Sequence, residues 1–346
     1  TPLASAIGNH LYMMELDQAL EQIRAETGIE KFELIGMDAC LMGHLEVFSA
    51  LEPHARFAVA SQETEPALGW AYTSFLNELK RNPAMDGALL GQKIVDSYII
   101  EDQRIVDDQA RAEFLRQGGG MSGMFGLWGG PTASQIAAQL NDSITITAVD
   151  LSKMPGLMEQ VNQLAFELKD VDQAAVAKAR TYAQSFTSIF GSNVPPSYID
   201  LGNFVQILAR EVPRSAVSQS ASNVLKGMQE AVVAEKHGPK KPGATGISIY
   251  FPNSQLYRNP ATGPQSYTAI AERFSEQSLW DDFLAYHYTG RSFEIENRSV
   301  VIPESSAAVR APGTGAVSVS PIALSSDVAG PDNPVLLSAD IQGENI

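Results

Sequence analysis

Apolar residues recur at Met13, Leu16, Leu20 and Ile23, the three- and four-residue spacing of an amphipathic helix over Met13 to Ala25. "TGIEK" then turns the chain, with Gly28 placed to cap that helix. Phe32 to Met37 is a short apolar run of the kind found in central parallel strands. Leu41 to Leu51 returns to helical spacing, and Phe57 to Ser61 ("FAVAS") is a second buried strand. A helix, a strand, a helix and a strand in succession predict crossover units and a parallel sheet. Downstream, helical spacing covers Leu76 to Lys80, Gly91 to Glu101, Gly156 to Leu168, Gln173 to Ser185 and Leu201 to Glu211. Ser143 to Asp150 ("SITITAVD") and Gly243 to Pro252 ("GATGISIYFP") read as strands, the second after the basic loop "KHGPKKPG". "SLWDDFLAYHY" reads as a closing helix.

The chain opens almost directly into a helix and stops just after a strand start and a turn, so a piece of something longer is expected. Residues 1–295 form the main domain of this reading. Pro, Ser, Ala and Gly dominate 296–331, as in a linker. Residues 332–346 ("DNPVLLSADIQGENI") begin a β-rich segment.

At 346 residues and 44% hydrophobic, the chain can bury a large core. Its 40 acids against 24 bases leave a net charge of −16. That field repels duplexes and anionic membranes and attracts basic peptides. No apolar run reaches the length of a membrane helix, and no signal peptide is visible. A single cysteine excludes an internal disulfide framework and a zinc-finger site. "QGGGMSGMFGLWGGP" (117–131) lacks the Gly-Lys-Ser/Thr ending of a phosphate loop and fails as a dinucleotide fingerprint, so it reads as a flexible surface loop.

The one cysteine, Cys40, falls just past the first strand, two residues after Asp38. In a parallel α/β sheet, ligands and reacting groups gather at the carboxyl ends of strands. A helix starting directly after Cys40 would place its amide end near the thiol. A nucleophilic thiol also needs a base, usually a histidine placed by the fold. The competing reading is a buried cysteine acting as a small hydrophobe.

"FELIGMDACLMGHLEVFSALEPHARFAVASQETEPALGWAY" resembles the clostripain family of cysteine peptidases, enzymes of caspase-like fold. The likeness lies in an apolar strand running into Asp-Ala-Cys-Leu-Met, a helix, and a strand entering Ser-x-Glu-x-x-Pro-x-x-Gly-Trp. It continues through "AVDLSKMPGL", "YIDLGNF", "GISIYFP" and "LWDDFLAYHY", roughly Met13 to Tyr288. The resemblance implies a caspase-like α/β/α sandwich with a mostly parallel sheet and helical insertions, incomplete in this chain, with residues 1–295 as the cysteine-bearing part of the peptidase domain.

The resemblance also assigns residues. Cys40 falls on the nucleophile, and its amide on one arm of an oxyanion hole. Asp38 falls on the acid that lines the primary specificity pocket and favours a basic side chain. Ser61 and Glu63 fall in a pocket-wall loop, with Trp70 packed beside them. Where basic-specific relatives often carry a second acid, "PALGW" has Leu68. No cofactor is required; calcium is possible, though no Asp-x-Asp-x-Asp-Gly loop is present. A secreted or cell-surface bacterial setting is favoured.

The family's histidine sits in a His-Gly motif upstream of the cysteine strand. Of five histidines, only His237 precedes a glycine, some 200 residues downstream. His10 is upstream but lacks the glycine. His44 and His54 should point away, and His287 lies on the closing helix. The expectation is a histidine supplied by an upstream segment or by a second chain cut from the same precursor. The substrate would be a peptide or protein, cleaved after a basic residue. The alternative is a non-catalytic caspase-like binding or scaffold module that retains the cysteine.

Overall fold

A computed structural model describes residues 11–117, 132–188, 194–260 and 262–293, together with four two-residue strands further on. His10 and most of the 117–131 glycine-rich stretch lie outside the described residues, as does the rest of the tail. The chain divides into two compact units, Thr1–Val300 and Val301–Ile346.

In the first unit, α1 (Met13–Thr27) leads through Gly28 into β1 (Phe32–Gly36). The Gly28 N–H donates to Arg24 O at 2.9 Å and closes the helix as the sequence indicates. Next come α2 (Leu45–Leu51), β2 (Ala55–Ala60), α3 (Tyr72–Arg81) and α4 (Gly87–Ser97). Short helices lead to β3 (Thr145–Asp150), α5 (Met154–Glu167), α6 (Gln173–Tyr182), β4 (Tyr198–Asp200) and α7 (Leu201–Glu211). The unit ends with α8 (Ala216–Ala231), β5 (Val232–His237), β6 (Ser248–Tyr250) and α9 (Trp280–Thr289).

The principal sheet has the order β1-β2-β3-β5. Its first pair is parallel, with Phe32 opposite Ala55 and Leu34 opposite Phe57. β3 and β5 then enter antiparallel. The architecture is α/β with a mixed sheet. The crossover through α2 makes the parallel pair, whereas β3 starts on the edge where β2 ends. The parallel pattern expected from the helix–strand alternation therefore describes the β1–β2 unit itself. The strand β5 and its helix α8 carried no signal strong enough to separate them from the basic loop that follows. A second, two-stranded sheet pairs β4 with β6 antiparallel.

Helices cover both sheet faces. Ala58, Ala60 and Val149 bury against Leu45, Val47 and Phe48 of α2 and against α5, α7 and α8. On the opposite face Val59, Ile146 and Ala148 meet Ile94 and Val95 of α4. β2 alternates between these two cores, as period-two side chains require. Phe204, Phe251, Trp280 and Phe283 cluster on the first face. The Trp280 indole N–H donates to Tyr250 O at 2.7 Å, satisfying its one polar atom.

β1 is the exception. Among the described residues it has one strand neighbour, and none of its five residues is buried. No residue of α1 is buried either, and Ile23 is 44% exposed. Among the described residues, the apolar run read as a central strand stands at an edge.

In the second unit Ser318–Val319 pairs with Ile341–Gln342, and Ala323–Leu324 with Leu337–Ser338, both antiparallel. Half of these strand residues fall within 296–331, the region read as a linker. The alternation Val317-Ser318-Val319-Ser320 carries the strand signal that the Pro/Ser/Ala/Gly composition masks.

One polar knot fastens α1 to the rest. His54, fully buried before β2, donates from Nε2 to Asp17 Oδ1 at 2.5 Å. Arg273 grips the same carboxylate with Nε at 3.1 Å and Nη2 at 3.0 Å. Burial pushes the Asp17 pKa up, but His54 and the Arg273 fork outweigh it and hold the carboxyl below its ordinary 3.8. A depressed carboxylate stabilises the fold above its unfolded pKa, and that contribution is lost as pH falls through the folded value. Asp17→Asn should therefore cost about 1–3 kcal/mol at pH 7. Urea unfolding at neutral pH and near pH 3 checks this: the gap between variant and wild type should narrow in acid.

Candidate active site

β1 and β2 run parallel, so the loops that follow them emerge side by side. Backbone bonds lace these loops together. Met37 N–H donates to Val59 O at 2.8 Å, Leu41 N–H to Glu63 O at 3.1 Å, and Gly43 N–H to Ser61 O at 2.6 Å. Cys40 lies between the first two and is exposed. Leu41, directly after it, has φ 61. That left-handed conformation costs free energy in a leucine and persists because the lacing fixes it. The exposed cysteine is not the small buried hydrophobe of the competing reading.

The helix expected directly after Cys40 begins only at Leu45. Residues 41–44 are spent on the turn and on the bonds to the 61–63 loop. The amide end of α2 is therefore not at the thiol. The Glu65 N–H meets Cys40 Sγ at 3.3 Å instead.

Asp38 is exposed on the same loop. Its Oδ2 accepts from Trp70 N–H at 3.3 Å and from Tyr72 O–H at 3.0 Å. Two glycines permit this closeness. A Cβ on Gly69, which has φ 67, would lie 2.9 Å from Asp38 Oδ2. A Cβ on Gly36 would lie 2.7 Å from the Trp70 ring. The buried Trp70 indole thus lies over the end of β1, and its Nε1–H donates to Glu65 Oε1 at 3.2 Å.

Ser61 and Glu63 face inward. Ser61 Oγ donates to Thr145 O at 2.6 Å. Glu63 forms an ion pair with Lys241 and accepts from Thr187 N–H at 3.2 Å and Thr64 N–H at 2.7 Å. Burial acts to raise the Glu63 pKa, but these partners outweigh it and hold the carboxyl below its ordinary value. Next to them, the Gln62 side chain bridges Asp200 (3.0 Å) and Gly246 N–H (3.1 Å). The "YIDLGNF" and "GATGISIYFP" motifs therefore serve as the bed on which the 61–63 loop rests. Leu68 is also turned into the core, 3% exposed, and Arg104 holds its carbonyl.

Glu65, Tyr72, Tyr98 and Arg104 were not legible as site residues. Glu65 stands inside the quoted "SQETEPALGW" run, but only the fold sets it beside Cys40. The others come from α3, from the end of α4 and from a short helix at Gln103–Val106, with nothing in their spacing to tie them to Asp38.

No described histidine reaches the thiol. His44 Nδ1 bonds Glu46 at 3.1 Å and its ring packs on Tyr198. His54 is spent on Asp17. His287 bonds Gln173 at 2.7 Å, and burial, followed by the Arg180 charge, pushes its pKa down to about 4. His237 ends β5 opposite Thr145. That is three strand positions from β1, roughly 14 Å in a sheet. A cavity of about 100 Å³ lies among Met13, Glu46, Tyr198 and Tyr267, and neither Cys40 nor Asp38 lines it. Among the described residues there is no cluster of three or more metal-binding side chains, and no helix long and apolar enough to cross a membrane.

Residues 5–113 match the model of the clostripain family. This segment is similar to the clostripain family. It spans α1 through α4 and includes Asp38, Cys40 and the 61–70 loop, and the function class of this family is the cysteine-type peptidase, a hydrolase. A comparison with curated proteins finds no match. Among solved structures, a B. fragilis cysteine protease is similar at 19% identity and TM-score 0.44, over 82% of this chain and 96% of that one. A clostripain from Bacteroides thetaiotaomicron in complex with a peptide inhibitor is similar at 14% identity and TM-score 0.48, over 77% and 96%. A secreted C11 cysteine protease from the same organism follows at 16% and 0.45, over 76% and 62%.

An exposed, single thiol gives a direct check of this geometry. Iodoacetamide should modify the native clostripain-like chain at one site, Cys40, without denaturant. Mass mapping reads the outcome; a thiol that reacts only in urea would contradict the exposed turn.

Proposed function

We propose that the chain is the cysteine-bearing part of an endopeptidase that cleaves after a basic residue, with its histidine supplied by an upstream segment or a second chain. The observation that carries this reading is the exposed Cys40 on a rigid, laced turn at the carboxyl end of β1, two residues after Asp38.

The Cys40 thiolate attacks the scissile carbonyl carbon and forms a C–S bond. The Cys40 amide offers one donor to the developing oxyanion. As the C–N bond breaks, the histidine gives its proton to the leaving amine. Water then attacks the thioester, releasing the carboxylic acid and returning the thiol. Asp38 receives the basic side chain before the cut, through charge-assisted hydrogen bonds.

Two features support a histidine from outside the described residues. Each described histidine is engaged elsewhere. Among the described residues, the edge of β1 and the poorly buried α1 also offer unpaired backbone and apolar surface, where a further strand would pair.

Cys40→Ala should lower kcat/KM by several orders of magnitude and leave the unfolding midpoint unchanged. Retained cleavage would refute Cys40 as the nucleophile, and no cleavage by the wild type with its histidine segment present would leave the binding-module reading. On a peptide library, Asp38→Asn should lose about 10- to 100-fold of the preference for Arg or Lys over neutral residues, the worth of one charge-assisted contact. Equal cleavage after Arg, Leu and Ala by the wild type would refute the basic preference.

A further inference from the structure

Glu65 shares the surface around Asp38 in a way that ordinary carboxylate chemistry does not satisfy. Its Oε1 accepts from Trp70 Nε1–H, but its buried Oε2 meets no donor. Asp38 accepts from the Trp70 backbone N–H at 3.3 Å and Glu65 from the Trp70 indole N–H at 3.2 Å, so one residue brings the two carboxyls together. Two ionised carboxylates so placed repel, and an acceptor facing an acceptor makes no bond. One proton between them removes both problems, since a protonated Glu65 donates where a carboxylate cannot.

We propose that Glu65 and Asp38 hold one proton in common and act together as the specificity pair beside Cys40, giving up that proton when a cationic side chain enters. This rests on the pocket reading of Asp38 given above. A neutral side chain would meet a singly charged, hydrogen-bonded pair. A guanidinium or ammonium would meet two carboxylates once the proton has left for solvent.

The surroundings fit this role. From the loop after β1 come Asp38 and the Cys40 thiol; from the start of α3 comes Tyr72, donating to Asp38. Tyr98, at the end of α4, is fully buried and its hydroxyl has no partner among the described residues. Arg104 feels the Asp38 charge, but it is already bound to Asp102 and to Leu68 O. Among the described residues, no lysine or arginine forms an ion pair with Asp38 or Glu65. Burial first, and then Asp38, push the Glu65 carboxyl up to about 9. Tyr72 is raised to about 12 by burial and by Asp38, so it remains a donor across the working range.

The test is the ratio of kcat/KM for an Arg substrate to that for the matched Gln substrate, from pH 5 to 9. The ratio cancels the ionisations of thiol and histidine, which act on both substrates. It should rise at least tenfold across this range in the wild type and be flat in Glu65→Gln, whose amide oxygen still accepts from Trp70. Calorimetry with agmatine near pH 7, in two buffers of different ionisation enthalpy, should show about one proton released by the wild type and none by the variant. A basic preference that does not change with pH, or that changes equally in Glu65→Gln, overturns the shared proton alone. Absence of any basic preference at every pH overturns the Asp38 pocket and the pair together.

Discussion

The backbone lacing between the loops after β1 and β2 is what the rest of the site depends on. Leu41 and Gly43 donate into Glu63 and Ser61, so Cys40 is held on a turn that one loop alone would not keep. Removing that contact would release Leu41 from its left-handed conformation. Gly43 also accepts from Ser248 N–H and Oγ–H, each at 3.0 Å, which joins the turn to β6. The turn is thus bonded on both sides while its thiol stays open to solvent.

Behind the lacing stands a second tier. The resemblance assigns Ser61 and Glu63 to a pocket-wall loop, and Gln62 lies between them. In the fold their side chains anchor the loop to Thr145, Asp200 and Lys241. Burial raises the Asp200 pKa even though Thr245, Asn203 and Gln62 all donate to it. Such a buried cluster is costly unless every member is satisfied. It fixes one arrangement of three loops, which is what a reacting thiol needs from its scaffold.

Elements with long, periodic or strongly apolar patterns were legible in advance. The helix at Leu201–Glu211 falls on its expected bounds, and β1, β2 and β3 lie within a few residues of theirs. What escaped was set by tertiary pairing. The direction of β3 and the existence of β5 depend on which edge each strand joins, and side-chain periodicity does not encode this. The start of α2 slipped from Leu41 to Leu45 because the turn consumed four residues that have helical spacing. Cys40 and Asp38 could be singled out from a local motif. Glu65 could not, because its proximity to Asp38 is created by Gly69 and Trp70 folding back over the end of β1.

Among the described residues β1 has one strand neighbour, although its residues Phe32, Leu34 and Ile35 are apolar enough for a sheet interior. An apolar strand with one open edge is a site for pairing, and the described histidines are all committed elsewhere. The central claim is that this chain holds the nucleophile and its pocket while the base arrives on a separate segment. The most direct measurement is peptidase activity of the 346-residue chain by itself and after addition of the segment that precedes it in the precursor. The account predicts no turnover by the chain alone and recovery on addition, lost again when the segment's histidine is replaced by alanine. Full turnover by the chain alone would contradict it and place the base within these residues.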